Sequence, residues 1–399
     1  MRRCVVLLAG CLLAADWPQH LGPQRDGVAG GENFTLNPAP AVLWKHDVGP
    51  GWAAPIVQGE QLVIFHRQKN DEVIDCLNAL TGKPLWTSRY RTRYVDSFGF
   101  DEGPRATPVI ADGRIFTLGA AGELTATRLT DGKQLWQRPL KTDYAAPQGY
   151  FGIASSPIVV GEKLIVNVGA KGASVVAFDV ATGKEIWKSG NDAASYSSPT
   201  LVTLGKQSRV LFYTRTGLLG IDPESGKILF SETWRPRIDA SVNAATPLAW
   251  NDQIFISTSY QRGGILFQVK DDSLTTIWSN DDVMSNHYNT AILAEGKLFG
   301  IHGRQEERPD LHCADWATGK LLWSQKRFGC AGLICMGSTI FAQAENGDFV
   351  AFAVDVKAYR ELARVSVLQS PVRALPALAN GIWYARDGDQ LIALDLRKK

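Results

Sequence analysis

The feature that most constrains this chain is a short internal repeat. Its clearest copy runs from Val176 to Trp187 and reads Val-Ala-Phe-Asp-Val-Ala-Thr-Gly-Lys-Glu-Ile-Trp. Four further copies keep the same register, and a degenerate copy lacks the glycine; they lie at 76–86, 126–136, 220–230, 313–323 and 267–278. Because self-similarity along a chain is typical of repeat architectures, we expect the repeat to define the fold.

Each copy of the repeat predicts a β-hairpin. The alternating residues Val-Ala-Phe-Asp are typical of a strand, the glycine of Thr-Gly-Lys supplies the positive φ of a tight turn, and Ile-Trp begins the returning strand. Upstream of each copy a small residue opens another apolar strand, usually with a proline after it. These openings are Ala54-Pro55, Thr107-Pro108, Ser156-Pro157, Ser198-Pro199, Thr246-Pro247, Thr290-Ala291, Ala331-Gly332 and Leu375-Pro376. A second hairpin follows each opening, so each unit holds four antiparallel strands.

The spacing of the repeats gives the number of units. The aromatic residues that end successive copies are 42 to 51 residues apart, at Trp44, Trp86, Trp136, Trp187, Phe230, Trp278 and Trp323. Four-stranded units of this length indicate propeller blades, and eight openings indicate eight blades. The last unit lacks an aromatic strand, while residues 42–44 supply one without a hairpin, so the N-terminal strand is expected to close the ring. The prediction is an all-β chain, residues 16–399 forming a single eight-bladed antiparallel β-propeller.

The N-terminus predicts export. Arg2 and Arg3 precede an apolar run that ends in small residues before Asp16, which is the pattern of a secretory signal peptide over residues 1–15. Leu8-Ala9-Gly10-Cys11 also looks like a bacterial lipobox, which would make Cys11 a lipidated N-terminus anchored in the outer membrane. We therefore expect a periplasmic or secreted protein, with membrane attachment only if Cys11 is lipidated.

Charge and cysteine content exclude several classes of function. The chain has 42 basic and 40 acidic residues, and removal of Arg2 and Arg3 leaves equal numbers. A neutral body argues against a nucleic-acid partner, because that affinity comes from neutralised phosphates. Four cysteines remain after the predicted cleavage, with no CxxC motif, and the histidines form neither HxH nor HExxH, so no metal site is predicted.

The repeat resembles a known family. Ala-Phe-Asp-x-x-Thr-Gly-Lys-x-x-Trp at 177–187 looks like the tryptophan-docking motif of PQQ-like (pyrroloquinoline quinone repeat) propellers, and the segment 16–27 resembles the entry segment of exported members. The family includes quinoprotein alcohol dehydrogenases and non-catalytic propellers similar to the outer-membrane assembly lipoprotein BamB. The repeat tryptophans (Trp44, Trp86, Trp136, Trp187, Trp278 and Trp323) are accordingly predicted to be structural, docking between blades over the turn glycines.

The resemblance favours binding over catalysis. The dehydrogenases carry an adjacent Cys-Cys pair and a calcium-binding set of Glu, Asn and Asp with an Asp base, and no residues here match either. We therefore predict no catalytic residues, no cofactor and a binding or scaffold module. The alternative is a PQQ-dependent oxidoreductase of alcohols or sugars that binds PQQ with calcium.

Candidate binding residues are those that break the repeat. In a propeller the loops between blades and the loops between second and third strands meet at one face, around the central channel. The first set carries Trp52, Arg105, Tyr150, Tyr196, Arg237, Asn243, His287, Tyr288 and Arg373; the second carries His66, Arg262, His302, Arg304 and Arg386. Arginine, histidine and aromatic side chains around a concave mouth suit a protein partner or a small anionic or planar ligand.

Overall fold

Eight four-stranded antiparallel sheets form a ring. The structure, a computed structural model, describes residues 16–30, 34–238 and 241–398. The predicted signal peptide 1–15 and the lipidation candidate Cys11 lie outside the described residues. The all-β, eight-bladed propeller predicted from the repeat is confirmed.

The first strand of the chain and the first four blades have the following bounds. Strand β1 covers Leu36–Asp47. Blade 1 contains β2 (Ile56–Gln58), β3 (Gln61–Gln68), β4 (Asp71–Asn78) and β5 (Pro84–Arg91). Blade 2 contains β6 (Val109–Ala111), β7 (Arg114–Leu118), β8 (Glu123–Arg128) and β9 (Gln134–Pro139). Blade 3 contains β10 (Ile158–Val160), β11 (Lys163–Ala170), β12 (Ala173–Asp179) and β13 (Glu185–Ser189). Blade 4 contains β14 (Thr200–Leu204), β15 (Gln207–Tyr213), β16 (Gly217–Ile221) and β17 (Ile228–Thr233).

The remaining blades follow the same plan. Blade 5 contains β18 (Leu248–Trp250), β19 (Gln253–Thr258), β20 (Gly263–Lys270) and β21 (Ser273–Asn280). Blade 6 contains β22 (Ile292–Ala294), β23 (Lys297–His302), β24 (Asp310–Asp315) and β25 (Leu321–Gln325). Blade 7 contains β26 (Ala331–Met336), β27 (Thr339–Ala344), β28 (Asp348–Ala353) and β29 (Glu361–Ser366). Blade 8 contains β30 (Ala377–Ala379), β31 (Ile382–Arg386) and β32 (Gln390–Arg397).

The N-terminal strand closes the ring as the sequence predicts. Strand β1 pairs antiparallel with β32 and becomes the outer strand of blade 8, so that Trp44 lies opposite Ala393. Because β1 and β32 come from opposite ends of the chain and share one sheet, their pairing closes the ring and gives blade 8 four strands like the other blades.

The repeat tryptophans dock as predicted. Each indole Nε1 donates a hydrogen bond of 2.8 to 3.2 Å to a backbone carbonyl of the next blade, as from Trp44 to Ala79 and from Trp136 to Val180. In five of the six cases the ring covers the turn glycine of that blade: a Cβ on Gly183, which has a φ of 68°, would lie 2.8 Å from Trp136. Only glycine combines this positive φ with so close an approach.

The core lies between adjacent sheets rather than in one central mass. One layer, for example, packs Phe116 and Leu124 of blade 2 against Val166 and Phe178 of blade 3. The described cysteines, Cys76, Cys313, Cys330 and Cys335, are buried free thiols, and burial raises the pKa of each to about 11 or 12. They act as small apolar core residues.

Helix is confined to two short loop segments in the described part of the chain, α1 (Leu140–Tyr144) and a 3-10 turn (Gln305–Glu307). No described helix is long and apolar enough to cross a membrane.

Candidate functional site at the mouth of the propeller

The two ends of the central channel differ. The loops between blades and the loops between second and third strands gather at one end, which we call the mouth. At the other end residues 16–30, the leader, cross the channel. The backbone of Trp17 exchanges two hydrogen bonds with Val57 of blade 1, and Gly27 and Ala29 bind Cys335 of blade 7. These contacts lie beside the first hairpin turn of each blade, so the leader closes the end opposite the mouth.

The residues that open each blade form a girdle around the channel. In four places the backbone N–H of one opening residue donates to the hydroxyl of the next, at 2.9 to 3.3 Å: Ala54 to Thr107, Thr107 to Ser156, Ser156 to Ser198, and Thr246 to Thr290. The openings read from the sequence thus tie neighbouring blades together. Each hydroxyl accepts in these bonds, which leaves its own O–H available to donate to another group.

The leader adds one side chain to this girdle. The Nε2 atom of His20 lies 3.0 Å from the Thr246 hydroxyl. Burial, and secondarily the charge of Arg25, hold the pKa of His20 well below its usual range, so this imidazole is neutral at pH 7. The Arg25 guanidinium is itself held by the carbonyl oxygens of Pro157 and Ser156. His20 therefore forms part of the floor seen from the mouth.

A cavity of about 280 Å³ opens above this floor. Six of the fourteen predicted mouth residues line it: Trp52, Arg105, Tyr196, His287, Tyr288 and Arg373. Residues that the sequence analysis did not propose for the mouth complete the lining, chiefly His20, Phe100, Phe151, Tyr260, Gln305, Glu306 and the hydroxyls of the openings Thr107, Ser156 and Ser198. The walls are thus aromatic and the floor is polar.

Two guanidinium groups lie over one aromatic ring in the cavity. The guanidinium carbon of Arg105 is 4.5 Å from the Trp52 ring centre, and that of Arg373 is 5.0 Å away. Arg105 is buried and fixed by Asp96, whose Oδ2 lies 3.0 Å from its Nη2. Burial alone would raise the pKa of Asp96, but backbone N–H donors of its own loop and the Arg105 charge lower it, so this ion pair is charged at neutral pH.

Arg373 is the guanidinium available to a ligand. Its Nε donates to Glu345 at 3.0 Å, and its two terminal nitrogens make no hydrogen bond to any described residue. A guanidinium held through Nε keeps a fork of N–H donors that matches a carboxylate.

His287 is neutral at physiological pH. Its Nε2 lies 2.9 Å from the Tyr260 hydroxyl, and burial lowers its pKa to about 4. Its Nδ1 has no partner among the described residues. The guanidinium carbon of Arg304 lies 4.5 Å from the Tyr260 ring centre. Its Nη2 forms an ion pair with the Glu306 carboxylate at 3.3 Å.

The other predicted residues lie outside the cavity. Tyr150 is exposed at the rim, and Arg237 is exposed beside residues 239 and 240, which the structure does not describe. Asn243 is buried, with its amide donating to the carbonyls of Thr214 and Trp234. His302 stacks on His312, with ring centres 4.4 Å apart.

Three further loop residues named from the sequence serve the scaffold. His66 is fully buried between Gly49 and Asp75, and Arg386 donates to the Gly49 carbonyl. The guanidinium carbon of Arg262 lies 3.5 Å from the Trp234 ring centre. The side chains of His66, Arg262 and Arg386 are thus positioned by contacts within the protein.

The sequence matches one family directly. A family model described as "Outer membrane protein assembly factor BamB" matches residues 36–187 and 70–325, which together exceed half of the chain. The chain belongs to this BamB family of PQQ-repeat propellers. A curated BamB from Aliivibrio fischeri is 32% identical over 85 residues, which are 21% of this chain and 22% of that protein. The chain thus aligns with about a fifth of the length of this BamB relative.

Two solved structures share the fold of this BamB-family chain. BamB from Moraxella catarrhalis superposes with a TM-score of 0.65 at 13% identity, covering 90% of this chain and 99% of that one. A quinohemoprotein alcohol dehydrogenase, ADHIIG from Pseudomonas putida HK5, also gives 0.65, at 12% identity, covering 96% and 80%. At such identities these structures establish the shared propeller fold and leave function to be argued from the site.

Proposed function

We propose that this chain is an exported, non-catalytic binding module whose mouth cavity receives an anchoring residue of a protein partner. The observation that carries the proposal is the pair of guanidinium groups over Trp52, in an aromatic cavity with a floor of hydroxyl donors. A rigid scaffold with functional loops at one end is a common arrangement for binding proteins.

The cavity specifies the chemistry of the anchor. The terminal nitrogens of Arg373 and the hydroxyls of Thr107, Ser156 and Ser198 are donors, so they suit an oxygen-rich acceptor such as a carboxylate. The walls offer Phe100, Phe151 and other rings, which suit a planar side chain. We infer an aromatic residue that carries or adjoins a carboxylate, such as one at a chain terminus.

The size of the cavity favours a protein anchor. Its volume of about 280 Å³ lies at or below the lower end of the roughly 300–1,000 Å³ range of pockets for drug-sized ligands. A space of this size suits one side chain, and buried aromatic anchors in pockets carry much of the affinity of protein interfaces. Similarity to proteins named as assembly factors also supports a protein partner.

Paired substitutions test whether the partner protein binds at the mouth or at the opposite end of the propeller. Trp52→Ala with His287→Ala removes cavity contacts, whereas Lys184→Ala with Lys320→Ala changes exposed hairpin turns at the other end. We expect the first pair to reduce cross-linked partner recovered from the host at least tenfold, because the anchor loses its walls, and the second pair to leave recovery unchanged. Mass spectrometry of cross-linked complexes makes the measurement. With both pairs folded, a loss confined to the turn pair would contradict the proposal.

The fold likeness to a quinohemoprotein alcohol dehydrogenase raises a second candidate, a PQQ-dependent oxidoreductase. Ca²⁺ takes six to eight oxygen ligands. Among the described residues that line the cavity, Glu306 is the one carboxylate, and Arg304 already pairs with it. No cluster of three or more His, Cys, Asp or Glu able to hold a metal occurs in the described ranges. These residues do not fit a calcium–quinone site.

An activity assay decides between the two candidates. We expect that purified protein supplied with PQQ and Ca²⁺ gives no dye-linked oxidation of alcohols or sugars, because the cavity has too few oxygen ligands for the metal. A PQQ alcohol dehydrogenase assayed in parallel serves as the positive control. Turnover that depends on both PQQ and Ca²⁺ would favour the oxidoreductase.

A further inference from the structure

A second cavity lies at the leader end of the channel, away from the mouth. It has a volume of about 710 Å³ and is lined by the leader at 24–26 and by the first strands and turns of three consecutive blades, at 200–204, at 247–252 and at 293, 295 and 296. None of these residues lines the mouth cavity.

The leader shows how this end of the ring binds a peptide chain. The first strand of each blade pairs with the second strand only, so its other edge faces the channel. The next-to-last residue of this strand directs its backbone N–H and C=O toward the channel. The leader uses this position in three blades. Val57 exchanges two bonds with Trp17, Ile110 donates to the carbonyl of Pro18, and Cys335 bonds to Gly27 and Ala29. All three covered residues are at most 4% exposed.

The same position is vacant in the three blades that line the second cavity. The pairing of the first and second strands identifies the equivalent residues as Thr203, Ala249 and Leu293. No backbone group of the described chain bonds to these residues on the channel side. All three are more exposed than their counterparts under the leader, since Ala249 and Leu293 are half-buried and Thr203 is exposed. The cavity is therefore lined by consecutive strand edges that keep their donors and acceptors.

We propose that this second cavity binds an extended, basic peptide segment of a partner protein through these strand edges, as the leader binds the other blades. Backbone hydrogen bonds would supply affinity, as in other cases of strand addition. Asp26, Asp252 and Glu295 line the cavity, and its one cation, Arg25, is directed at carbonyl oxygens of blade 3. This excess of negative charge selects lysine or arginine in the segment, and the exposed side chains of Leu201 and Trp250 select apolar residues between them.

Three synthetic peptides test the proposal on the full chain: acetyl-Lys-Val-Lys-Val-Lys-amide, its glutamate analogue, and the lysine peptide with N-methylated backbone nitrogens. Hydrogen exchange read by mass spectrometry locates binding, and fluorescence polarisation measures it. We expect the lysine peptide to protect residues 200–204 and 247–250 and to bind at least tenfold tighter than either analogue. Equal binding of the three, protection at the mouth loops, or no protection at about 1 mM peptide would overturn the proposal.

Variants separate this site from the mouth. Ala249→Pro removes a channel-side N–H without removing a bond within the sheet. Glu295→Lys reverses an exposed charge at a turn, so it keeps the test valid if the proline variant fails to fold. Each is expected to weaken the lysine peptide at least fivefold, and an unchanged affinity in Glu295→Lys would contradict the proposal. Trp52→Ala with His287→Ala should leave this affinity unchanged, because the proposal does not depend on the mouth.

Discussion

Replacement of Trp17 by alanine should lower the free energy of unfolding by about 3–5 kcal/mol, the usual cost of removing a large buried aromatic side chain. Trp17 is 1% exposed, packs against Gly22 within the leader, and fixes the leader to blade 1 through Val57. Without it the leader should detach, which would expose the strand edges it covers. Thermal or urea unfolding measures the change, and hydrogen exchange should accelerate at Val57, Ile110 and Cys335.

A matched control keeps this prediction specific. Trp250 belongs to blade 5, and its side chain is 44% exposed. Trp250→Ala should cost about 1 kcal/mol or less, as most exposed substitutions do. Equal losses in the two variants, or unchanged exchange at the covered edges in Trp17→Ala, would show that the leader does not stabilise the ring.

A second large effect is expected from Glu72→Gln. Glu72 is fully buried between blades 1 and 2, its Oε1 accepts a bond of 2.9 Å from the Ala120 backbone, and its Oε2 has no hydrogen-bond partner among the described residues. Burial raises its pKa to about 7, against an ordinary value of about 4.3. Between these values the folded state binds more protons than the unfolded state, so stability falls as pH rises through this window and remains lower above it.

The glutamine variant removes this titration. A glutamine side chain can keep the bond from Ala120 and carries no charge at any pH, so the variant should be more stable than the wild type by about 3 kcal/mol at pH 8. At pH 4 the wild-type carboxyl is already protonated in the folded state, and the difference should nearly vanish. Urea unfolding across this pH range makes the measurement. Parallel stability curves for the two proteins would contradict the assignment.

The fold could be predicted from the sequence because its determinants are local and repeated. The hairpin phrase, the turn glycine and the docking tryptophan lie within a dozen residues of each other, as in the copy from Val176 to Trp187. Their periodicity fixed the blade count, and the unpaired aromatic strand at Trp44 indicated how the ring closes. The openings such as Thr107-Pro108 were found as markers, but their role as a hydrogen-bonded girdle required the structure.

The site could be predicted only in part, because the mouth loops do not repeat. Residues next to a blade opening, such as Trp52, His287 and Arg373, lie near the axis by topology and were found. Phe100 and Phe151 lie in long, non-repeating loops, whose course depends on contacts such as the Arg105–Asp96 pair within one loop and the bond from the Phe151 N–H to the Tyr196 hydroxyl between loops. Nothing near His20 in the sequence indicates that the leader crosses the channel and brings it to the floor of the cavity.

Two of the predicted mouth residues lie outside the cavity because they make contacts within the scaffold. Histidine and asparagine in loops were grouped by residue type, but burial and hydrogen bonding decide their roles. Asn243 donates to the carbonyl of Thr214 in a neighbouring loop, and His302 is stacked against His312. Such structural uses of polar side chains satisfy buried groups and leave no distinct mark in a single sequence.

The proposed mouth site should distinguish a free peptide carboxylate from an amide. Isothermal titration calorimetry compares acetyl-Gly-Gly-Gly-Trp bearing a free carboxylate with the same peptide as an amide, on the wild type and on Arg373→Gln. We expect the wild type to bind the carboxylate at least tenfold tighter than the amide, and Arg373→Gln to abolish this preference. Equal affinity of the wild type for the two peptides, or a preference that survives in Arg373→Gln, would contradict it.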